Sequence, residues 1–280
     1  MQMHELTGRM AVITGAGSGL GRSLAVACAK RGMRVLLADV NEQGLGATAA
    51  LLARTDTLTL RVDVSQPDQV AALADLAYRE AQDVALLFNN AGVASGGWIW
   101  ESTPQDWQWL IGVNLMGVVH GIQSFVPRLI AQGRPAHIVN TSSAAGLLSL
   151  PAGSAYCATK HGVVTLSECL HHELKLKGAP IGVSVLCPSF VQTAIAESER
   201  HRPAELRGPD RPFVPRDESL ARAMDNAPLS ADEVAEITLA HVLRGSFYIL
   251  PHEDVRKGVV RRLKAIVEDR EPAMGRLPGS

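Results

Sequence analysis

Short apolar runs alternate with longer amphipathic stretches along most of this chain. The short runs are Met10–Thr14, Arg34–Asp39, Leu58–Val62, Val84–Phe88, His137–Thr141 and Ile181–Leu186. Most of them are continuously apolar, which is typical of strands buried on both faces of a parallel sheet. Since strands that alternate with helices are joined by right-handed crossovers, we predict an α/β fold with a doubly wound parallel sheet. A length of 280 residues allows one large domain or at most two small ones, and because the motifs described below distribute one site across residues 14 to 193, we predict a single domain over 1–280.

Two of the amphipathic stretches carry clear helix start signals. Thr103 is placed as an N-cap, with Pro104 at the first helical position and Asp106 three residues after the cap. Ser230 and Glu233 repeat the same spacing before the next apolar pattern. Both sites are therefore predicted to begin helices.

Two regions depart from the alternation. The segment 189–229 is polar and is interrupted by Pro203, Pro209, Pro212, Pro215 and Pro228. Loops of this length in compact domains are commonly lids, so we expect a substrate lid here. After the apolar run Phe247–Leu250, a basic amphipathic helix is predicted over about 252–268. We interpret it as a solvated or subunit-contact helix rather than a membrane anchor.

Composition narrows the class of protein. The formal charge of -1 argues against nucleic-acid binding through bulk electrostatics. No unbroken apolar run approaches the roughly 18 residues of a membrane span, and the first ten residues lack an apolar signal centre. The cysteines, at positions 28, 157, 169 and 187, show no CxxC spacing. We therefore expect a cytoplasmic enzyme with a small-molecule substrate and with neither nucleic acid nor membrane as a partner.

A glycine-rich turn follows the first predicted strand. Between Thr14 and the helical pattern that starts near Arg22 lies the sequence GAGSGLG, 15–21. Bare backbone at such a turn can approach a pyrophosphate closely, and the helix that follows offers free N–H groups. A strand before the turn and a helix after it are the context that a dinucleotide site requires.

The second predicted strand ends in Asp39. A carboxylate at this place can bind both hydroxyls of the adenine ribose and would repel the additional phosphate of NADP. Val40, Asn41 and Glu42 follow it, so no basic residue stands ready for that phosphate. NAD is therefore the expected cofactor. The alternative for Asp39 is that it is a surface carboxylate in a strand-to-helix turn with no role in cofactor binding.

These motifs together resemble the short-chain dehydrogenase/reductase family in its compact, single-domain branch, which has a Rossmann-type fold. The resemblance covers about 6–195 densely and rests on ordered motifs. The cofactor residues that it implies are Gly15, Gly17, Ser18, Gly19, Leu20, Asp39, Asp63, Val64, Asn90, Gly92, Tyr156, Lys160, Pro188, Val191 and Thr193. It also implies a homo-oligomer, either a tetramer or a dimer. Ser189 stands where the family has a glycine.

The residues Asn114, Ser143, Tyr156 and Lys160 are the predicted catalytic group. Tyr156 and Lys160 are four apart and share a helix face. A neighbouring ammonium, together with the positive nicotinamide ring, would lower the pKa of the phenol, so that Tyr156 could act as general acid or base. Ser143 would bind the substrate oxygen, with Ser142 as a competitor for that role. The family resemblance gives Asn114 a water that connects the lysine to solvent.

Several other features have simpler interpretations. His171 and His172 lack the spacing of a zinc helix, so no metal site is predicted. Trp107 and Trp109 are expected in the core or a subunit interface, whereas Trp98 and Trp100 are candidates for the mouth of the substrate site. The charged lid residues, Glu197, Glu199, Arg200 and Arg202, are interpreted as a solvated face.

The predicted reaction is hydride transfer between NAD and a secondary alcohol or ketone. The segment 195–203 and the sequence YILPHEDVRKG, 248–258, resemble a subgroup that includes bacterial dehydrogenases of benzylic alcohols in aryl ethers. This resemblance implies a bulky, aromatic substrate, with walls from Ala94, Ala145, Leu147, Leu148, Leu150 and the lid. The alternatives are a ketone reductase that prefers NADPH and a non-catalytic dinucleotide-binding module.

Overall fold

A seven-stranded parallel sheet forms the centre of the protein, as described by a computed structural model that covers residues 5–52, 55–207 and 218–273. Its strands are β1 (Met10–Thr14), β2 (Arg34–Asp39), β3 (Thr57–Arg61), β4 (Val84–Asn89), β5 (Ala136–Thr141), β6 (Ile181–Leu186) and β9 (Tyr248–Ile249), and a separate pair joins β7 (Val191–Gln192) to β8 (Leu229–Ser230). The order in the large sheet is β3-β2-β1-β4-β5-β6-β9. Strand order therefore reverses direction between β1 and β4, as in a doubly wound sheet.

Helices cover both faces of this sheet. They are α1 (Gly19–Ala29), α2 (Glu42–Leu51), α3 (Pro67–Glu80), α4 (Pro104–Leu110), α5 (Gly117–Gln132), α6 (Ser154–Leu176), α7 (Glu218–Asp225), α8 (Ala231–Arg244) and α9 (Glu253–Val267). Leu24 of α1 and Leu239 of α8 belong to the core on one face. Leu73 of α3 and Phe125 of α5 belong to the core on the other. The predicted α/β architecture is confirmed.

The predicted element boundaries are close to those of the structure. The strands from the sequence match within one residue, the third being displaced to Thr57–Arg61. At Thr103 a capping box is present, because its hydroxyl accepts from the Asp106 amide and the Asp106 carboxylate accepts from the Thr103 amide. Ser230 and Glu233 form the same box before α8. Both predicted helix starts are confirmed.

One helical run is long and apolar enough, by length and composition, to cross a membrane. It extends from Pro104 to Gln132, with a mean hydropathy of 1.4 in its most apolar window. In that window 50% of the residues are buried inside the protein, where Phe125 and Leu129 pack against the sheet. Such a window is typical of a core helix too, because core-facing residues raise hydropathy as lipid-facing ones do.

The predicted lid region contains short elements rather than one helix. Turns of 3-10 helix form Ala194–His201 and Ala204–Leu206, and α7 follows at Glu218. The expected interruption by prolines agrees with the described part, and 208–217 lie outside the described residues. The predicted C-terminal helix corresponds to α9, whose bounds are narrower by one residue at each end.

A buried histidine on β5 predicts a pH dependence of stability. His137 donates from Nε2 to Ser184 Oγ at 2.7 Å, since that hydroxyl itself donates to the Ser246 carbonyl at 2.6 Å. Its Nδ1 is buried without a hydrogen-bond partner. A second proton would therefore have no acceptor there, and burial lowers the pKa of His137 to about 3.

Since unfolded His137 takes up a proton near its ordinary pKa of 6.5 and the folded form does so only near 3, acid favours unfolding. We expect this residue to remove up to about 1.4 kcal/mol of stability per pH unit between those values. Urea unfolding at pH 7 and pH 5 measures the loss, and His137→Asn should reduce it. An unchanged pH slope in the variant would contradict the expectation.

Candidate active site

A cavity of about 1030 Å³ opens at the carboxyl ends of the strands, where the strand order reverses. Loops that follow β1, β4, β5 and β6 supply most of its wall, as is usual for the crevice of a doubly wound sheet. The predicted residues that line it are Gly15, Gly17, Ser18, Gly19, Leu20, Asp39, Asp63, Val64, Asn90, Gly92, Ser143, Tyr156, Lys160, Pro188, Val191 and Thr193. Asn114 is the one predicted site residue that does not line it.

The glycine turn after β1 is closed too tightly for side chains. Gly15 has a φ of +68°, in the left-handed region that favours glycine. A Cβ on Gly21 would lie 2.0 Å from the Gly15 carbonyl oxygen. The Gly17 amide donates to the Asp39 carboxylate at 2.8 Å, while Arg22 donates to the Gly17 carbonyl at 2.6 Å. The turn and Asp39 therefore form one wall of the cavity.

Hydrogen bonds from Thr14 join this turn to the loop after β4. Its hydroxyl accepts from the Asn90 and Ala91 amides at 2.9 and 3.1 Å. The Asn90 side chain returns a bond to the Thr14 carbonyl at 3.0 Å and accepts from Thr141 at 3.2 Å. Asn90 thus connects three neighbouring strands, which explains its position at the floor of the cavity.

The first turns of α6 bring Tyr156 and Lys160 to the cavity. The Lys160 ammonium lies 5.7 Å from the centre of the Tyr156 ring and donates to the Thr141 carbonyl at 3.0 Å. A Cβ on Gly92 would lie 3.3 Å from Lys160 Nζ, so the loop after β4 packs directly on the amine. Lys160 is only 3% exposed.

Burial dominates the ionisation of this pair. It raises the pKa of Tyr156 to about 12, although a hydrogen bond with Ser143 acts in the opposite direction. It lowers the pKa of Lys160 to about 8. The cavity walls alone therefore favour the neutral phenol at Tyr156. The prediction that Lys160 and a bound nicotinamide together lower the pKa of Tyr156 concerns the cofactor-bound enzyme and stays a prediction.

The structure separates the two candidate serines. Ser142 also borders the cavity, but it is buried and its hydroxyl donates to the Lys160 carbonyl at 2.8 Å, so that proton is already used to support α6. Ser143 is partly exposed to the cavity and accepts from the Ala145 amide at 3.1 Å. The Ser143 hydroxyl donates only a long bond to the Pro188 carbonyl, at 3.5 Å, and it also interacts with the Tyr156 hydroxyl. Ser143 is the serine placed for binding an oxygen.

Asn114 uses its side chain to support the loop after β4. Its Oδ1 accepts from the Val93 amide at 2.8 Å, and its Nδ2 donates to the Val93 carbonyl at 3.0 Å. Asn114 belongs to a π-helical segment, Ile111–Met116, between α4 and α5. Such segments widen a helix and leave backbone groups without ordinary partners, often at functional sites. A role in proton relay would therefore fall to its backbone rather than its amide.

The substitution of Ser189 for the family glycine is accommodated. Ser189 is not among the described residues with a positive φ, so the position does not require glycine. Its amide donates to His252 Nδ1 at 3.2 Å, and His252 Nε2 lies 3.1 Å from the Phe190 carbonyl oxygen. His252, which precedes α9, therefore fixes the backbone of this segment and was not found from the sequence.

The expectation for Trp107 and Trp109 is confirmed, because Trp109 is 3% exposed in a buried apolar cluster and Trp107 packs against that cluster. Trp109 also lines the cavity. The expectation for Trp98 and Trp100 is not met, since they stack on each other at 5.3 Å, are 49% and 75% exposed and do not line the cavity. Of the predicted walls, Ala94, Ala145 and Leu150 line the cavity, and Leu147 and Leu148 do not. Additional apolar walls come from Ile195, Leu206, Leu220 and Met224.

Arg202 is another correction to the sequence interpretation. It is not solvated: its side chain is 2% exposed and pairs with Asp106. Glu197 and Arg200 form the expected partly exposed pair. Within the described ranges, no group of three or more His, Cys, Asp or Glu residues is arranged to hold a metal ion.

Comparison with known proteins decides the family. A family model described as short chain dehydrogenase matches residues 9–204, which include the glycine turn, Ser143, Tyr156 and Lys160. The chain belongs to the short-chain dehydrogenase/reductase family. It is therefore a member of a family of oxidoreductases, and the resemblance based on sequence motifs is confirmed.

Relatives cover this dehydrogenase nearly from end to end. A "CLA biosynthesis dehydrogenase/reductase" of Lactiplantibacillus plantarum is 31% identical over 96% of this chain and 97% of its own. A "C alpha-dehydrogenase" of Sphingobium sp. is 34% identical over 96% of this chain and 89% of its own. Relatives of similar identity to this chain therefore carry different functional names.

Solved structures show the same fold with both nicotinamide cofactors. A short-chain dehydrogenase/reductase from Burkholderia phymatum in complex with NAD is 46% identical, with a TM-score of 0.94 over 98% of this chain and 99% of that one. A short-chain dehydrogenase from Sphingobium yanoikuyae in complex with NADPH is 26% identical, with a TM-score of 0.72 over 96% and 98%. Family membership alone therefore leaves both cofactors possible.

Proposed function

We propose that this chain is an NAD-dependent oxidoreductase that transfers a hydride between the nicotinamide and a bulky secondary alcohol or ketone. The observation that carries the proposal is the convergence of Ser143, Tyr156 and Lys160 on the cavity that the glycine turn and Asp39 also line. A binding module would need the turn and Asp39 but not these three side chains. The non-catalytic alternative is therefore less well supported.

The cofactor half of the cavity fits a dinucleotide. Bare backbone at Gly15 and Gly17 gives a pyrophosphate close access, and α1 begins at Gly19 with its amino end beside the turn. Asp39 receives one amide on each oxygen, from Gly17 and from Asn41, and each carboxylate oxygen can accept further bonds. The ribose hydroxyls of NAD would use that remaining capacity.

The residues of this chain account for the proton chemistry. When bound, the nicotinamide supplies the hydride acceptor or donor. Ser143 holds the substrate oxygen by a hydrogen bond as its charge changes. Tyr156 donates its phenolic proton to that oxygen in reduction, and as phenolate accepts the proton in oxidation. Lys160, with a pKa near 8, can exchange a proton with solvent close to neutral pH.

The apolar wall supports a bulky substrate. Trp109, Leu150, Ile195, Leu206 and Met224 face the same cavity as Tyr156 and Ser143. An aromatic or long apolar group on the carbinol carbon would bury surface against them, at about 25 cal/mol per Å² removed from water. The aryl-ether subgroup resemblance agrees with an aromatic group. We propose in addition that the enzyme is a cytoplasmic homo-oligomer, as the family resemblance implies.

One observation favours a second candidate, an NADPH-preferring ketone reductase. Arg61 is the strand partner of Asp39 in the β2–β3 register and lines the same cavity, as does Arg200. Arginine is the residue type best suited to a ribose phosphate. The carboxylate of Asp39 would repel a phosphate on the adenine ribose, so we propose NAD as the first choice.

The proposed function is tested with purified enzyme and a panel of secondary alcohols and aryl ketones. Turnover is followed by the absorbance of reduced nicotinamide, with NAD and NADP compared for alcohols and NADH and NADPH for ketones. Activity on bulky or aromatic members with an NAD(H) preference is expected. Binding of NADH without turnover of any member would favour the binding module, and a preference for NADPH would favour the reductase.

Asp39 gives a specific prediction about cofactor choice. We expect Asp39→Ser to weaken NADH binding about tenfold and to strengthen NADPH binding by a similar factor, because the repulsion of the additional phosphate is removed. Fluorescence titrations of both cofactors measure the change. Asp56→Ser, at an exposed pair with Arg34, is the matched control. An unchanged NADH to NADPH ratio in Asp39→Ser would contradict this role.

A further inference from the structure

A buried cation lies at the edge of the lid segment, which we define as residues 194–207. Arg202 pairs with Asp106 at 2.7 Å and with Glu199 at 3.1 Å. The side chains of Arg202 and Asp106 are 2% and 3% exposed. The lid segment is therefore joined to the start of α4 by an ion pair that solvent does not reach.

Arg202 also supports the wall of the substrate half of the cavity. Its guanidinium carbon lies 5.1 Å from the centre of the Trp109 ring, and its Nε donates to the Leu206 carbonyl at 2.9 Å. Trp109 and Leu206 line the cavity, whereas Arg202 does not. Arg202 thus lies behind two of the side chains that a substrate would touch.

The two oxygens of Asp106 serve different elements. Oδ2 accepts from the amide and hydroxyl of Thr103, which completes the cap of α4. Oδ1 forms the ion pair with Arg202. Because α4 continues into the π-helical segment that contains Asn114, one carboxylate links the lid segment to the helix leading to the catalytic group.

A second attachment holds the lid segment four residues before Arg202, at Ser198. The Ser198 hydroxyl accepts from the Ala94 amide at 3.0 Å and donates to the Ile195 carbonyl at 2.5 Å. Both Ala94 and Ser198 line the cavity. The lid segment is therefore fixed at two points, at Ser198 and at Arg202.

Stability alone does not account for the buried pair. Removing a guanidinium from water is costly, and an apolar replacement of a buried pair is often equally stable. Here the cost is greater, since Nη2 of Arg202 is buried without a hydrogen-bond partner. What the pair does provide is one fixed geometry for Trp109 and Leu206, because the planar guanidinium binds several acceptors at set angles.

We propose that Arg202 is a positioning residue that sets substrate affinity by holding the lid segment and Trp109 over the alcohol or ketone. The inference rests on the proposed function, since it assigns the lid side of the cavity to the substrate. Loss of the pair would let the lid segment open locally while the glycine turn keeps its own hydrogen bonds. The Michaelis constant for substrate would therefore change more than the cofactor affinity.

The test compares Arg202→Met and Arg202→Lys with two controls. Thr103→Ala removes the cap hydroxyl of α4 but keeps the Asp106 carboxylate for Arg202. Arg128→Met removes a different arginine, which pairs with Asp75 and lies over the ring of Tyr78. Each variant is measured for substrate KM, kcat, NADH affinity and amide hydrogen exchange of 194–207.

For Arg202→Met we expect an increase in substrate KM of at least about tenfold, with kcat and NADH affinity changed less. Exchange of the lid segment should quicken at least about tenfold, and Arg202→Lys should recover part of both effects because it keeps a cation beside Asp106. Neither control should show this combination. Retained NADH binding shows that Arg202→Met is folded.

Unchanged KM and unchanged lid exchange in Arg202→Met would overturn the proposal, as would an equal effect in Thr103→Ala. If Arg202→Met fails to fold, Arg202→Lys takes its place. In that variant, wild-type lid exchange and a wild-type KM together with loss of NADH binding would also overturn the proposal. If the wild-type enzyme turns over no member of the panel, the proposed function fails. Faster exchange confined to the lid segment would still support the attachment by Arg202.

Discussion

Replacement of Tyr156 by phenylalanine is expected to abolish measurable turnover while NADH binding stays within about twofold of wild type. A positioned general acid or base contributes about a hundredfold to ten-thousandfold to the rate. The variant loses only the hydroxyl that faces Ser143, so the packing of the ring against Lys160 is kept. Steady-state assays with the most active member of the panel and a fluorescence titration of NADH measure the two effects.

Tyr248→Phe is the matched control for this experiment. Tyr248 is also a tyrosine with a hydroxyl partner, since it donates to the Glu168 carboxylate at 2.5 Å, but it is 46% exposed and does not line the cavity. Its replacement should leave kcat within about twofold. Activity of Tyr156→Phe close to that of Tyr248→Phe would show that another group moves the proton.

The second large effect is expected at Gly21. A Cβ at this position would lie 2.0 Å from the Gly15 carbonyl oxygen and 2.8 Å from Asn90 Nδ2. Gly21→Ala must therefore displace the turn that receives the pyrophosphate. We expect NADH affinity to fall at least about a hundredfold and the protein to lose about 1–3 kcal/mol of stability through overpacking. Calorimetric titration with NADH and thermal unfolding measure the two losses.

Gly46→Ala is the matched control for Gly21→Ala, because the same glycine-to-alanine change is expected to leave NADH binding intact and not to destabilise the protein. Gly46 lies inside α2, is exposed, and a Cβ there meets nothing within 4 Å. Alanine is favoured over glycine in a helix by about 0.5–1 kcal/mol, so this variant should be slightly more stable and bind NADH normally. Equal NADH affinities in the two variants would refute the assignment of the turn.

The fold was predictable because its signals are local. Strands such as Val84–Asn89 are buried along their whole length, and continuous apolar runs record that burial directly. The capping box at Thr103 depends on residues three apart, so it too is visible in the chain. The glycine turn, Ser143, Tyr156 and Lys160 were found for the same reason, as short motifs in a fixed order.

The remaining features depend on contacts between distant segments. Whether Trp109 or Trp98 lines the cavity is decided by how α4 packs beside the lid segment, and residue type does not encode that choice. Arg202 belongs to a run of alternating charges that a solvated helix would also show, and only Asp106, far away in the chain, makes it a buried cation. The pKa of Tyr156 depends on burial, which spacing to Lys160 does not report.

The shared carboxylate of Asp106 sets a boundary for protein engineering. Since its two oxygens belong to α4 and to the lid segment, a transplanted lid without an arginine at position 202 would remove the buried ion pair that joins it to Asp106. The unit that can be exchanged between enzymes is therefore discontinuous in sequence, because residues 103–110 and 194–207 must be replaced together. Libraries that vary substrate scope in one of these segments alone would sample mostly mismatched halves.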